Sequence, residues 1–232
     1  MKLEDLFTRL SLGALSGLAI GGEGSGTIPE QSHGKLVFII NEGLVMLFSK
    51  YNLLEKEVII QTKVPFTHYY LRKEFAQSDE TQVPFKYIRD SSNNRFKGDV
   101  VKILQVIDEY GNELRLNDEE DSYSVFTPQY DCLQITANQA GEYYSVMYQA
   151  RHPVLCKEDL CVDILIPYMM EKVLTDYVAS SVFGQMNGPE HTAKSQEYLM
   201  MYSAVLAEID AKDIAVTSRS ATNVKLEQRG FV

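Results

Sequence analysis

Four histidines, three cysteines and a scatter of carboxylates are the groups in this chain able to move protons or hold metals. His33, His68, His152 and His191 stand in no catalytic pattern. There is no G-x-S-x-G elbow, no H-E-x-x-H pair and no Gly-Lys-Ser or Gly-Lys-Thr phosphate loop. His152, Cys156 and Cys161 fall close together and Asp163 follows, a set of donors that zinc accepts. Structural zinc sites pair such donors closely and add a second pair, and only Cys132 remains to supply it. The cysteines are therefore read as small hydrophobes in core or loop. Glu171, Asp176, Glu190 and Glu197 lack the Glu-x-x-His pairing of a di-iron bundle and read as solvated helix faces. The glycine-rich run 21–26 lacks the buried strand and the spacing of a dinucleotide fingerprint. Glu23 would repel a phosphate there, so the run reads as a flexible hinge. No catalytic residue, metal or cofactor is expected. A hydrolase using Cys156 or His152 is the weakest reading.

The groups that carry contacts are more informative than those that carry reactions, and they must be held by a folded scaffold. The chain has 232 residues, 45% hydrophobic and 23% charged, enough to bury a core of its own. Its net charge of −10 provides no clustered positive face for gripping phosphate backbones. Such a balance suits a wall past which DNA slides. The acidic run 117–121 reads as a solvated loop. An odd, low cysteine count fits a reducing compartment. Acidic residues near Met1 argue against a signal peptide, and no apolar run is long enough to span a membrane. The expected setting is a cytoplasm, or something larger assembled there.

Leu3, Leu6, Phe7 and Leu10 fall at helical spacing, which predicts a short amphipathic helix over 3–12. Thr27 and Glu30 fit a capping box, with Pro29 tolerated in the first turn. The helix that follows carries Leu36, Ile39, Ile40, Leu44, Leu47, Phe48 and Tyr51 on one face. From about residue 54 to 150 the chain is rich in Tyr, Phe, Val and Thr, with turn signals at 91–94, 110–112 and 138–141. Strands are expected at 57–61, 114–116, 132–135 and 143–148. Residues 97–107 fit a short helix or a strand, with the helix preferred. Beyond 160, Leu165, Tyr168, Met169, Val173, Tyr177, Val178 and Val182 form a stripe. Pro189 opens a second helix carrying Tyr198, Met201, Tyr202, Val205, Leu206 and Ile209.

The fold class expected is α+β. The N-terminal helix and a C-terminal helical hairpin close into one bundle, with a β-rich insertion and an extended C-terminal arm. The corresponding segments are 1–53, 54–160, 161–214 and 215–232. Met169-Met170 and Met200-Met201 widen the apolar surface of the late helices. Either the core stripe is broad or a second face serves subunit contact. The arm loses helical periodicity yet ends in Leu226, Arg229, Phe231 and Val232, side chains suited to anchoring on a partner.

The chain resembles the head-to-tail connector, or adaptor, proteins of tailed bacteriophages, especially short-tailed ones. The resemblance is carried by Leu3-Glu4-Asp5-Leu6-Phe7 with Leu18-Ala19-Ile20-Gly21, and by Gly26-Thr27-Ile28-Pro29-Glu30 leading into 36–51. It continues through Val146-Met147-Tyr148-Gln149-Ala150-Arg151-His152-Pro153, Met186-Asn187-Gly188 and Gln196-Glu197-Tyr198. It ends in the run from Thr222 to Val232. It implies a structural protein of the virion neck that forms a ring, commonly of twelve, beneath the portal protein. The bundle would line the channel through which genomic DNA passes without specific binding. The other face would receive tail nozzle or tail fibre proteins, and no membrane is involved. Carried over by position, the arm docks on the portal through Val216, Thr217, Arg219, Asn223, Lys225, Leu226, Arg229, Phe231 and Val232. A neck or tail-completion protein without portal contact is the second reading.

Overall fold

A computed structural model describes residues 1–136 and 141–212. The arm, with every docking residue assigned to it above, lies outside the described residues, as does most of the 138–141 turn. Among the described residues the chain is mixed α+β, with a helical bundle built from both ends of the sequence and two antiparallel sheets between them.

Helix α1 spans Leu3–Leu12 and α2 spans Glu30–Lys50; α3, Tyr168–Gly184, and α4, Pro189–Ala211, form the hairpin. All seven residues of the α2 stripe are buried, together with Leu3, Leu6, Phe7 and Leu10 of α1. They share one core with Met170, Val173, Leu174, Val178 and Val182 of α3 and with Tyr202, Leu206 and Ile209 of α4. Helix α3 is the centre. Gly43 of α2 lies so close to it that an added Cβ would sit 2.7 Å from the Tyr177 ring and 2.9 Å from Leu174. On another face, Ser180 and Ser195 exchange hydroxyl-to-carbonyl hydrogen bonds of 2.9 Å with α4. Pro189 occupies the first turn of α4, as its position in the sequence predicts.

The strands are β1 Glu55–Gln61, β2 His68–Tyr70, β3 Ile88–Arg89, β4 Val100–Ile107, β5 Glu113–Leu114, β6 Phe126–Gln129, β7 Cys132–Gln134 and β8 Tyr143–Ala150. One sheet has the order β3-β1-β8-β4-β5 and the other β2-β7-β6. They enclose a second core around Ile60, Tyr69, Tyr87, Ile103, Val106, Val146 and Tyr148. Its tyrosines keep their hydroxyls bonded. Tyr69 donates to the Phe66 carbonyl at 3.0 Å, and Tyr87 donates to the Tyr70 carbonyl at 2.9 Å while accepting from the Tyr70 N–H at 2.7 Å. Burial pushes the Tyr87 hydroxyl far above the ordinary tyrosine range, so it stays protonated and able to donate.

Four expectations need correction. Residues 100–107 form strand β4, not a helix. Two register shifts against β8, after Val100 and after Ile103, make the burial recur every third residue at Val100, Ile103 and Val106. Bulges of this kind stretch the strand's period of two and imitate a helical spacing. Thr27 does not cap α2; the helix begins at Glu30 after Pro29, with no side-chain cap. Thr27 instead pairs with Ser25, whose hydroxyl donates to its carbonyl at 3.1 Å. The 21–26 run is not a loose hinge. The buried Ser11 hydroxyl donates to the Gly21 carbonyl at 2.6 Å and accepts from the Gly26 N–H at 3.1 Å. Gly22 has φ +73°, and a Cβ there would strike the Thr27 carbonyl. Finally, Leu165, Tyr168 and Met169 are exposed and Met170 takes the core position, because α3 starts only at Tyr168.

The end of β8 and the segment joining it to α3 fasten the two cores together. The Gln149 amide donates to the carbonyls of Phe48 and Tyr51, at 2.5 and 3.0 Å, serving groups that the end of α2 leaves free. Asn41 pairs with the Leu155 backbone twice, at 3.0 and 2.9 Å. Leu3 and Glu4 donate to Val162 and Leu160 at 3.1 and 3.0 Å, and Ile164 donates to Met1 at 2.8 Å.

Candidate interaction surfaces

Of the histidines and cysteines singled out by their chemistry, His152 and Cys132 are packed into the architecture. His152 is buried; its Nδ1 lies 2.6 Å from the Pro153 carbonyl and its Nε2 accepts the Leu165 N–H at 2.9 Å. With Nε2 accepting, the proton must sit on Nδ1 and donate to Pro153. The Phe48 ring meets this imidazole edge-on at 5.3 Å. Burial lowers its pKa and keeps it neutral. Cys132 is buried, and burial raises its thiol pKa; Cys156 and Cys161 are exposed. No group of three or more metal-binding side chains converges among the described residues. Glu171 and Asp176 are not solvated, as the sequence suggested. Both are buried on α3, Glu171 against Arg9 at 2.6 Å and Asp176 against Lys172. Most of this central helix is packed, and its buried carboxylates are kept by pairing. Glu190 and Glu197 on α4 are exposed.

The bundle presents apolar side chains where an outer face should be polar. On α2, Phe38 (62% exposed), Val45 (60%) and Met46 lie on the side opposite the core stripe. On α4, Leu199, Met200 (72% exposed) and Met201 are exposed, with Ala193, Ala204 and Ala207 continuing the surface. The two methionine pairs thus differ. Met170 completes the core, whereas Met200 and Met201 both face outward. Clusters of this kind mark contact surfaces more often than single exposed side chains do. Helices α2 and α4 pack on different faces of α3, and Lys50 and Tyr51 reach Asp210 of α4 at 2.7 and 2.6 Å. Helices α2 and α4 thus each carry outward-facing apolar side chains. Periodicity alone could not have singled out Phe38, Val45 and Met46, because a helix apolar on several sides leaves its core side undetermined.

The β-rich insertion bears charged clefts beside a few exposed apolar side chains, among them Val64 and Phe85. An open groove of about 650 Å³ runs beside β1 and β3, with Lys56, Arg89, Arg95 and Lys97 interleaved with Glu57, Asp90 and Asp99 on its walls. At the other end of β4 a cleft of about 260 Å³ is bordered by Tyr110, Tyr123, Glu109 and Glu142, over a floor of Leu114 and Ile135. No helix among the described residues is long and apolar enough to cross a membrane. No protein-family model matches the chain, and no curated protein matches it.

Proposed function

We propose that the chain is a structural head-to-tail adaptor of a tailed bacteriophage. It assembles as a ring beneath the portal in the virion neck, docks through residues 215–232 and receives tail nozzle or fibre proteins on its other side. The observation that carries this reading is the apolar side chains that α2 and α4 turn outward. Two different helices offering contact on one subunit suit a heterologous contact, which closes into a ring when its rotation allows. The resemblance of the N-terminal and C-terminal sequences supports the phage assignment, and the net charge of −10 suits a channel that DNA passes without adhering.

The test is reconstitution of the full chain with its portal, imaged by electron microscopy. A ring seated on the portal is expected for the wild type, and loss of docking on deletion of 215–232. Phe38→Glu or Met200→Glu should leave a folded subunit that no longer forms the ring. Crosslinks in purified particles to tail proteins alone, with none to the portal, would replace the reading with that of a neck or tail-completion protein.

A further inference from the structure

Strand β4 has an open edge. On one side β8 pairs along its length, whereas on the other β5 covers only Val106 and Ile107. Residues 100–105 therefore face no strand on that side among the described residues. Such an edge leaves backbone N–H and C=O groups able to pair with an added strand. A groove of about 510 Å³ runs along it, with Lys102 and Leu104 on one wall and Thr127, Gln129 and Tyr130 from the β6 hairpin on the other. Leu104 and Leu116 are half-buried and give the groove an apolar lining. Strand β6 contains Pro128, which has no N–H to donate, so β4 must supply most of the backbone pairing.

The chain carries a segment that matches this edge. Residues 213–232 follow α4, and among them Thr222, Val224 and Leu226 alternate with Asn223, Lys225 and Glu227. That alternation is the pattern of a strand with one apolar face. The segment also departs from a favourable place. Asp210, in the last turn of α4, accepts the Tyr51 hydroxyl at 2.6 Å. The Tyr51 carbonyl accepts the Gln149 amide at 3.0 Å, and Gln149 pairs with Lys102 on the open-edged strand. Ten extended residues, from Lys212 to Thr222, reach up to about 33 Å, enough to follow these three contacts. A strand held on so short a tether binds at a high effective concentration, which favours it over any segment arriving from solution.

We infer that residues 222–227 of each subunit pair with the open edge of β4 in the same subunit, adding a strand between β4 and β6. Val224 and Leu226 lie over Leu104 and Leu116, and Lys225 faces solvent beside Lys102. The portal then competes with this groove for one arm; that consequence, though not the pairing itself, rests on the adaptor reading.

Internal thiol crosslinking of the isolated full chain tests the pairing. In a background of Cys156→Ser and Cys161→Ser, one protein carries Lys102→Cys with Lys225→Cys. A control carries Tyr110→Cys with Lys225→Cys, which places the first thiol beyond the far end of β4. Mild oxidation should give about tenfold more intramolecular disulfide in the first than in the control, as a contact worth about 1.4 kcal/mol would. Val224→Pro with Leu226→Pro removes two N–H donors outside the folded body. The pair of prolines should return the yield to the control level and speed amide hydrogen exchange at residues 101–105 about tenfold. Equal yields, disulfide-linked dimers in place of the internal bond, or exchange at 101–105 that the prolines leave unchanged each overturn the inference. Every readout comes from the isolated chain, so failure here leaves the adaptor reading standing. Failure to dock on the portal would likewise leave this pairing standing.

Discussion

The bundle and the β-rich insertion solve the same problem with different materials. The bundle core is mostly aliphatic: Leu, Ile and Val fill α1, α2 and α3, and few of their contacts are directional. The insertion's core is built on Tyr69, Tyr87 and Tyr148, each fixed by a hydroxyl hydrogen bond, Tyr148 to Asp99 at 3.1 Å. Apolar packing tolerates surplus, and the bundle carries its surplus outward on α2 and α4. A network of satisfied polar groups tolerates less surplus, and the insertion shows charge and tyrosine to solvent, with fewer exposed aliphatic side chains than the bundle. One region is thus suited to burying area against a neighbour and the other to selecting one by charge.

Removing atoms from the bundle should have the largest effect. Leu174→Ala opens a cavity beside Gly43 and Tyr177 and should cost about 2–5 kcal/mol in urea unfolding. A loss under 1 kcal/mol would mean α2 and α3 are not tightly joined. The junction should come next. Gln149→Leu leaves the Phe48 and Tyr51 carbonyls without their amide and should cost about 1–3 kcal/mol. Unchanged unfolding would show that the two regions are coupled by other contacts. A pH effect should localise to the same junction. The folded-state pKa of His152 lies below 6.5 because burial disfavours its charged form. The unfolded chain then binds the proton first, so this contribution is complete above pH 6.5 and declines as pH falls toward the folded value. Urea midpoints measured between about pH 7 and pH 5 should fall less steeply in His152→Gln than in the wild type. Smallest for stability are Phe38→Glu and Met200→Glu, expected within about 0.5 kcal/mol of wild type although both should prevent ring formation. A large destabilisation there would place these side chains in the subunit's own core and erase the contrast between the regions.

Much of the bundle could be read from spacing. The α2 stripe, the α1 stripe and the break before Pro189 follow directly from periodicity and turn chemistry. Helix α3 was less legible because it is packed on several sides, so Met169 and Met170 looked equivalent and Glu171 and Asp176 looked solvated. Strand β4 was hidden by its own irregularity, since two bulges gave Val100, Ile103 and Val106 a spacing that belongs to helices. The outward apolar side chains were only half visible. Met200 and Met201 signalled surplus, but Phe38, Val45 and Met46 could not be told from core until the side of α2 that packs was known. The tyrosine cleft draws on residues from 108 to 144, and sequence order gives no hint that Tyr110 and Tyr123 border one cleft.

The register of β1 against β8 has a consequence for how the chain folds. Glu55 pairs with Gln149, so the whole insertion leaves and re-enters the bundle at adjacent points. Closing a long loop costs entropy that grows with its length, and here the strand pairing has already closed it. Once β1 and β8 zip together, α1 and α2 meet α3 and α4 as though a short turn joined them. The pairing of β1 with β8 and the meeting of the two ends of the chain are thus a single closure, and whichever forms first lowers the entropy cost of the other.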